Sequence, residues 1–144
     1  MKRLFYIPLL FILLFGCKKD KIDMQPDEII EPLVGKWLLT ESEQSVNGKK
    51  VWQPVNSNDP QYLVFRFDGV MFDKDGNAAC CAPKELSING NLFTIQPKTK
   101  VIYDNCVAVL CLYCPVFDIE YVGNQMIISY CGAGRVKYNK MLSL

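Results

Sequence analysis

Between Gln61 and Phe67 apolar and polar residues alternate, so Leu63, Phe65 and Phe67 fall on one face of an extended segment. Asp68-Gly69 then reads as a turn, with Val70 and Phe72 returning on the same face. The pattern recurs twice. Lys84 to Ile88 and Asn91 to Gln96 flank Asn89-Gly90, which brings Leu86, Ile88, Phe93 and Ile95 to one side. Phe117, Ile119 and Tyr121 pair across Gly123-Asn124 with Met126, Ile128 and Tyr130. Short turns between alternating flanks are the strongest local signal for hairpins. Further strands are expected at Lys36 to Glu43, at Lys49 to Val55 after Asn47-Gly48, at Lys100 to Tyr103, and at Arg135 to Met141. Val107 to Leu110 and Pro115 to Phe117 also read as extended. No window sustains a helical apolar period. About eight to ten short strands in succession predict an all-β fold, a small up-and-down antiparallel barrel of about eight strands or a strongly bent sheet.

The first residues follow another pattern. Lys2 and Arg3 precede an apolar run from Leu4 to Phe15, which Gly16-Cys17 closes. About a dozen apolar residues fall short of the roughly 20 that a helix needs to span a bilayer core. Residues 1–16 resemble a bacterial lipoprotein signal peptide, a likeness that implies cleavage before Cys17 and lipid chains on that cysteine. Several acyl chains on one residue would hold the protein firmly to a membrane. The implied location is the cell envelope, at the outer membrane, on its periplasmic face or at the cell surface. Residues 17–32 are charged and poor in apolar groups, so they read as a flexible tether. Residues 33–144 are left as a single domain, large enough to bury about two-thirds of its surface.

Composition narrows the chemistry. Lys and Arg total 16 against 15 acidic residues, and loss of Lys2 and Arg3 would leave 14 against 15. Without basic clusters, nucleic acid is not expected as a partner. The chain has no histidine, which excludes Ser-His-Asp and Cys-His catalysis and His-ligated zinc. No nucleophile and base pair is legible, so an enzyme is not expected, nor a cofactor or metal. Setting Cys17 aside leaves six cysteines: Cys80, Cys81, Cys106, Cys111, Cys114 and Cys131. An even number in an exported chain predicts disulfides, with fifteen possible connectivities. The Cys111-Leu112-Tyr113-Cys114 spacing also suits a metal or redox pair, but a redox motif wants a helix N-terminus, whereas this one lies between expected strands.

Leu33-Val34-Gly35-Lys36-Trp37 resembles the Gly-x-Trp opening of lipocalins, and the match is closest to short lipocalin-like bacterial lipoproteins. Phe65-Arg66-Phe67-Asp68-Gly69 midway and Arg135-Val136-Lys137-Tyr138 near the end extend the likeness over most of Leu33 to Lys140. The resemblance implies that Trp37 plugs one end of a barrel and that Arg135 packs across its ring as a cation–π contact.

Phe65, Phe67, Phe72, Phe93 and Phe117 are candidates either to fill the interior or to line a pocket for a small hydrophobic ligand. Asp73-Lys74-Asp75-Gly76-Asn77 has the oxygen donors of a calcium loop but not its spacing, and reads as a turn. Asp118 and Glu120 alternate with apolar residues and read as a solvated strand face. Trp52 beside the polar loop Asn56 to Pro60 is expected at a rim. The expected function is that of a lipid-anchored, lipocalin-like envelope protein binding a small hydrophobic molecule. Its alternatives are a protein-interaction or inhibitor module with a filled barrel, and a structural envelope protein.

Overall fold

The computed structural model describes residues 26–103, 106, 108–132 and 134–141. Cys17 and the expected leader lie outside this set. The chain enters through a short helix, α1 (Pro26–Ile30), and a 3-10 turn (Glu31–Leu33). Nine strands follow: β1 (Gly35–Val46), β2 (Lys49–Pro54), β3 (Tyr62–Phe65), β4 (Met71–Phe72), β5 (Glu85–Ile88), β6 (Asn91–Thr94), β7 (Val116–Val122), β8 (Gln125–Tyr130) and β9 (Gly134–Lys140). They form one sheet in the order β4-β3-β1-β9-β8-β7-β5-β6, which curls into a half-barrel. The long β1 pairs with β9 along one edge and, along the other, with β3 and then β2.

The expected hairpins all form, and so does the β1–β2 hairpin. Asn47-Gly48 and Asn89-Gly90 have positive φ at both positions, which a type I′ turn requires and Asn-Gly tolerates best. Alternation supplies the core. Leu86, Ile88, Phe93, Phe117, Ile119, Met126 and Ile128 are buried on the concave face with Trp37, Leu63, Phe65 and Met71. Phe117 meets Tyr130 edge to face, with ring centroids 4.7 Å apart.

Four details depart from the sequence reading. The turn after β3 starts one residue early: the Gly69 N–H donates to Arg66 O and the Arg66 N–H to Val70 O, so Phe67 and Asp68 take the corner. A turn closed by a left-handed glycine adds a residue to one side, which places Met71 rather than Phe72 opposite Phe65 and leaves Phe67 half exposed. Second, β5 runs parallel to β7, with Glu85 beside Val116 and Ile88 beside Ile119. A parallel neighbour needs a long connection, and residues 95–115 provide it. Third, the described residues of Lys100 to Tyr103 and of Val107 to Leu110 are not strands; Cys106 and Val109 donate backbone N–H bonds to carbonyls three residues earlier, as in turns. Fourth, residues 26–32 belong to the domain rather than to a tether, because Ile30 is buried with Leu33 against the core and Ile29 packs there too.

The strand register defines two ends. Trp37 lies beside Lys140, and β8 begins and β7 finishes at that end. The chain also enters there, through α1. Tyr130, Gly134 and Val116 lie at the other end, about 20 Å away at about 3.3 Å per residue.

Candidate functional site

All six domain cysteines are paired, as Cys80–Cys106, Cys81–Cys111 and Cys114–Cys131. The adjacent Cys80 and Cys81 thus seize two points of the connection between β6 and β7. Cys114 fixes the end of that connection to the turn after β8. The Cys-x-x-Cys pair is therefore neither a redox couple nor a ligand set, since its two sulfurs are bonded to different distant partners. The Cys114–Cys131 bridge sits beside β7, where the Cys131 N–H lies 3.2 Å from Cys114 Sγ.

Between these staples the chain presents apolar side chains to solvent. Leu110 is 95 % exposed, and Leu112 and Tyr113 are each 79 % exposed. Val109 and, earlier in the same connection, Ile102 and Tyr103 are exposed as well. Residues 108–116 carry no charged side chain. A chain that buries Leu86, Ile119 and Ile128 while displaying Leu110 and Leu112 spends apolar surface where folding does not need it. Large exposed apolar patches mark contact surfaces in soluble domains. The bridges at Cys111 and Cys114 hold this one in place, so little ordering entropy is left to lose on contact. Because Cys114, Pro115 and Cys131 adjoin the starts of β7 and β9, the loop stands at the end opposite α1.

The residues singled out from sequence are dispersed. Phe65, Phe93 and Phe117 are core residues packed against their neighbours. Phe67 is at the turn, with Lys98 Nζ 4.9 Å from its ring centroid. Phe72 points to the opposite face from Phe65, under the Arg66 guanidinium. It lines a surface cleft of about 420 Å³ together with Arg66, Asn77, Lys100 and Tyr103. The five phenylalanines therefore do not converge on one pocket. Trp37 is fully buried and its Nε1 donates to Leu33 O at 2.7 Å. Its cation is Lys140, 5.3 Å from the ring centroid, rather than Arg135. Alternation explains the change: Arg135 faces the convex side of β9, where it lies over Trp52 and donates two hydrogen bonds to Glu43. Lys137 also lies over Trp52 and binds Glu41. The Arg135 bonds outweigh the burial of Glu43 and hold its carboxyl below the ordinary range.

Two smaller readings hold. Asp73 accepts the backbone N–H groups of Asp75 and Asn77 and the Asn77 amide, so the Asp73 to Asn77 segment is a turn closed on its own carboxylate. Asp118 and Glu120 are exposed and alternate with buried Phe117 and Ile119 and half-buried Tyr121.

The stapled loop was not legible as a site because its apolar residues mimic strands. The signal was present in the cysteines: three of them, at 106, 111 and 114, interrupt a stretch without charge, and cross-linked residues at such spacing cannot all follow one strand's alternation.

No family model, curated protein or solved structure matches the chain.

Proposed function

We propose that this protein is a non-catalytic interaction module of the cell envelope, anchored to the outer membrane through lipid on Cys17, whose lipocalin-like half-barrel presents the stapled loop to a protein partner. The exposure of Leu110, Leu112 and Tyr113 beside the bridged Cys111 and Cys114 carries this reading. A protein partner suits the loop because it is uncharged and held in one shape. Contact energy at such surfaces concentrates in a few anchored side chains. The end of the domain that bears the loop is the one remote from the entering chain, so a tethered domain can turn it away from the membrane.

A second reading keeps a small ligand. The cleft of about 420 Å³ beside Phe72 and Tyr103 falls within the range of ligand pockets. With Arg66 and Lys100 in its wall, it suits an amphipathic anion better than a purely hydrophobic molecule.

The test uses a photo-crosslinking side chain at Leu112 in cells, followed by purification of the protein it captures. Binding of that protein is then measured against the wild type and against Leu110→Asp and Tyr113→Asp. Loss of about 2 kcal/mol, or about 30-fold in affinity, is expected for each substitution at unchanged melting temperature. Wild-type affinity in both variants overturns the proposal, as does saturable binding of an amphipathic anion that blocks capture at the cleft.

A further inference from the structure

The end of the domain where the chain enters carries its own exposed apolar surface. Phe67 is 50 % exposed and Leu92 58 % exposed, and both line a cleft of about 280 Å³ that Asp27 of α1 also lines. A second cleft, of about 480 Å³, is lined by Phe67 with Ile30, Val34 and again Asp27. The aromatic ring at the corner of the β3–β4 turn thus lines two clefts beside the point at which the chain joins the fold. The Lys98 ammonium lies over that ring, its Nζ 4.9 Å from the centroid.

The sequence ahead of this point limits what can cover it. Only nine residue steps separate Cys17 from Pro26, at most about 30 Å of chain even when fully extended. The apolar run Leu4 to Phe15 ends just before Cys17. Whether the membrane is held by acyl chains on Cys17 or by that run itself, it lies within one short tether of Phe67. Surface that is kept so close to a bilayer meets it at a high effective concentration.

We infer that the Phe67–Leu92 surface rests on the lipid headgroup layer of the membrane to which the chain is anchored. Aromatic and aliphatic side chains flanked by a long lysine are the groups that settle at a bilayer interface, the rings in the headgroup zone and the ammonium drawn to water and phosphate. The acidic residues Asp27, Glu28 and Glu31 lie at the same end and disfavour a strongly anionic lipid surface, so the fit is to zwitterionic headgroups. Docking of this kind fixes the orientation of the domain. The Phe67–Leu92 surface and the stapled loop then have separate roles. The inference rests on the proposed membrane anchoring but not on the protein-partner role of the loop.

Neutron reflectometry of the full-length anchored protein on a supported phosphatidylcholine and phosphatidylethanolamine bilayer tests it. Wild-type protein is expected to form a layer touching the headgroups with no intervening water. The double variant Phe67→Ser, Leu92→Ser is expected to lift off and leave a hydrated gap approaching the tether's reach. Both side chains are exposed, and an unchanged melting temperature verifies that the variant is folded. Leu112→Asp is expected to leave the wild-type profile unchanged, which separates this test from that of the loop. A hydrated gap under the wild type, an identical profile for wild type and double variant, or failure of the protein to stay on the bilayer overturns the inference.

Discussion

Asp68 is buried at the corner after β3, where burial alone would raise its carboxyl pKa. A two-pronged contact with Arg66 and the backbone N–H groups of Lys98 and Val70 outweigh that cost and hold the pKa at about 2. Arg66 is fixed in turn by Thr99 and lies over Phe72, so one carboxylate ties the β3–β4 turn to the segment after β6. A folded pKa below the unfolded value of about 3.9 means that this stabilisation is complete above pH 4 and disappears as pH falls toward 2. Its size is about 2 kcal/mol. Urea unfolding is expected to show a loss between pH 6 and pH 2 that is larger in the wild type than in Asp68→Asn by about 2 kcal/mol, the variant being already destabilised at pH 6. The neighbouring Gly69 is constrained twice, by a φ of +81° and by the Phe93 ring, which a Cβ would approach to 2.6 Å. Gly69→Ala is therefore expected to cost about 2 kcal/mol or more in equilibrium unfolding. Stability within a few tenths of the wild type would mean that the turn is not built this way.

At the scale of elements, the hairpins were legible because their information is local. An Asn-Gly pair sets the turn, and period-two alternation sets the face, as at Leu86, Ile88 and Phe93. Phe67 was misplaced because it takes the corner of the turn, and Phe72 because a turn with a left-handed glycine adds one residue, which reverses every side chain after it. The parallel β5–β7 pair was not legible, since it depends on where residues 95–115 lead the chain. Nor was the disulfide connectivity, which is set by strand neighbours that sequence does not specify. Helix α1 went unread because Ile29, Ile30 and Leu33 sit among charges and span too few residues for a period to emerge. Arg135 was assigned to the wrong tryptophan because a motif gives residue types but not the face of a strand. Peptide mapping of the unreduced protein is expected to recover Cys80–Cys106, Cys81–Cys111 and Cys114–Cys131, and a Cys111–Cys114 bridge would contradict the architecture. Replacing Cys114 and Cys131 together by Ser removes a cross-link over 17 residues and is expected to destabilise the domain by about 3 kcal/mol in chemical unfolding.

For the whole molecule, the proposed function follows from the difference between its two ends. The concave face is occupied by its own side chains from Trp37 to Ile128, so the half-barrel serves as a support more than as a container. One end receives the chain from the proposed membrane anchor. The other holds Leu110, Leu112 and Tyr113 out on disulfides. A partner that covers this loop must protect it from solvent in the cell's own membranes and must be missing from bilayers made of pure lipid. Hydroxyl-radical footprinting of the anchored protein in both settings reads this directly. The expected result is oxidation of Leu110, Leu112 and Tyr113 several-fold slower in native membranes than in phospholipid vesicles. Equal oxidation in the two would contradict a protein partner at the stapled loop.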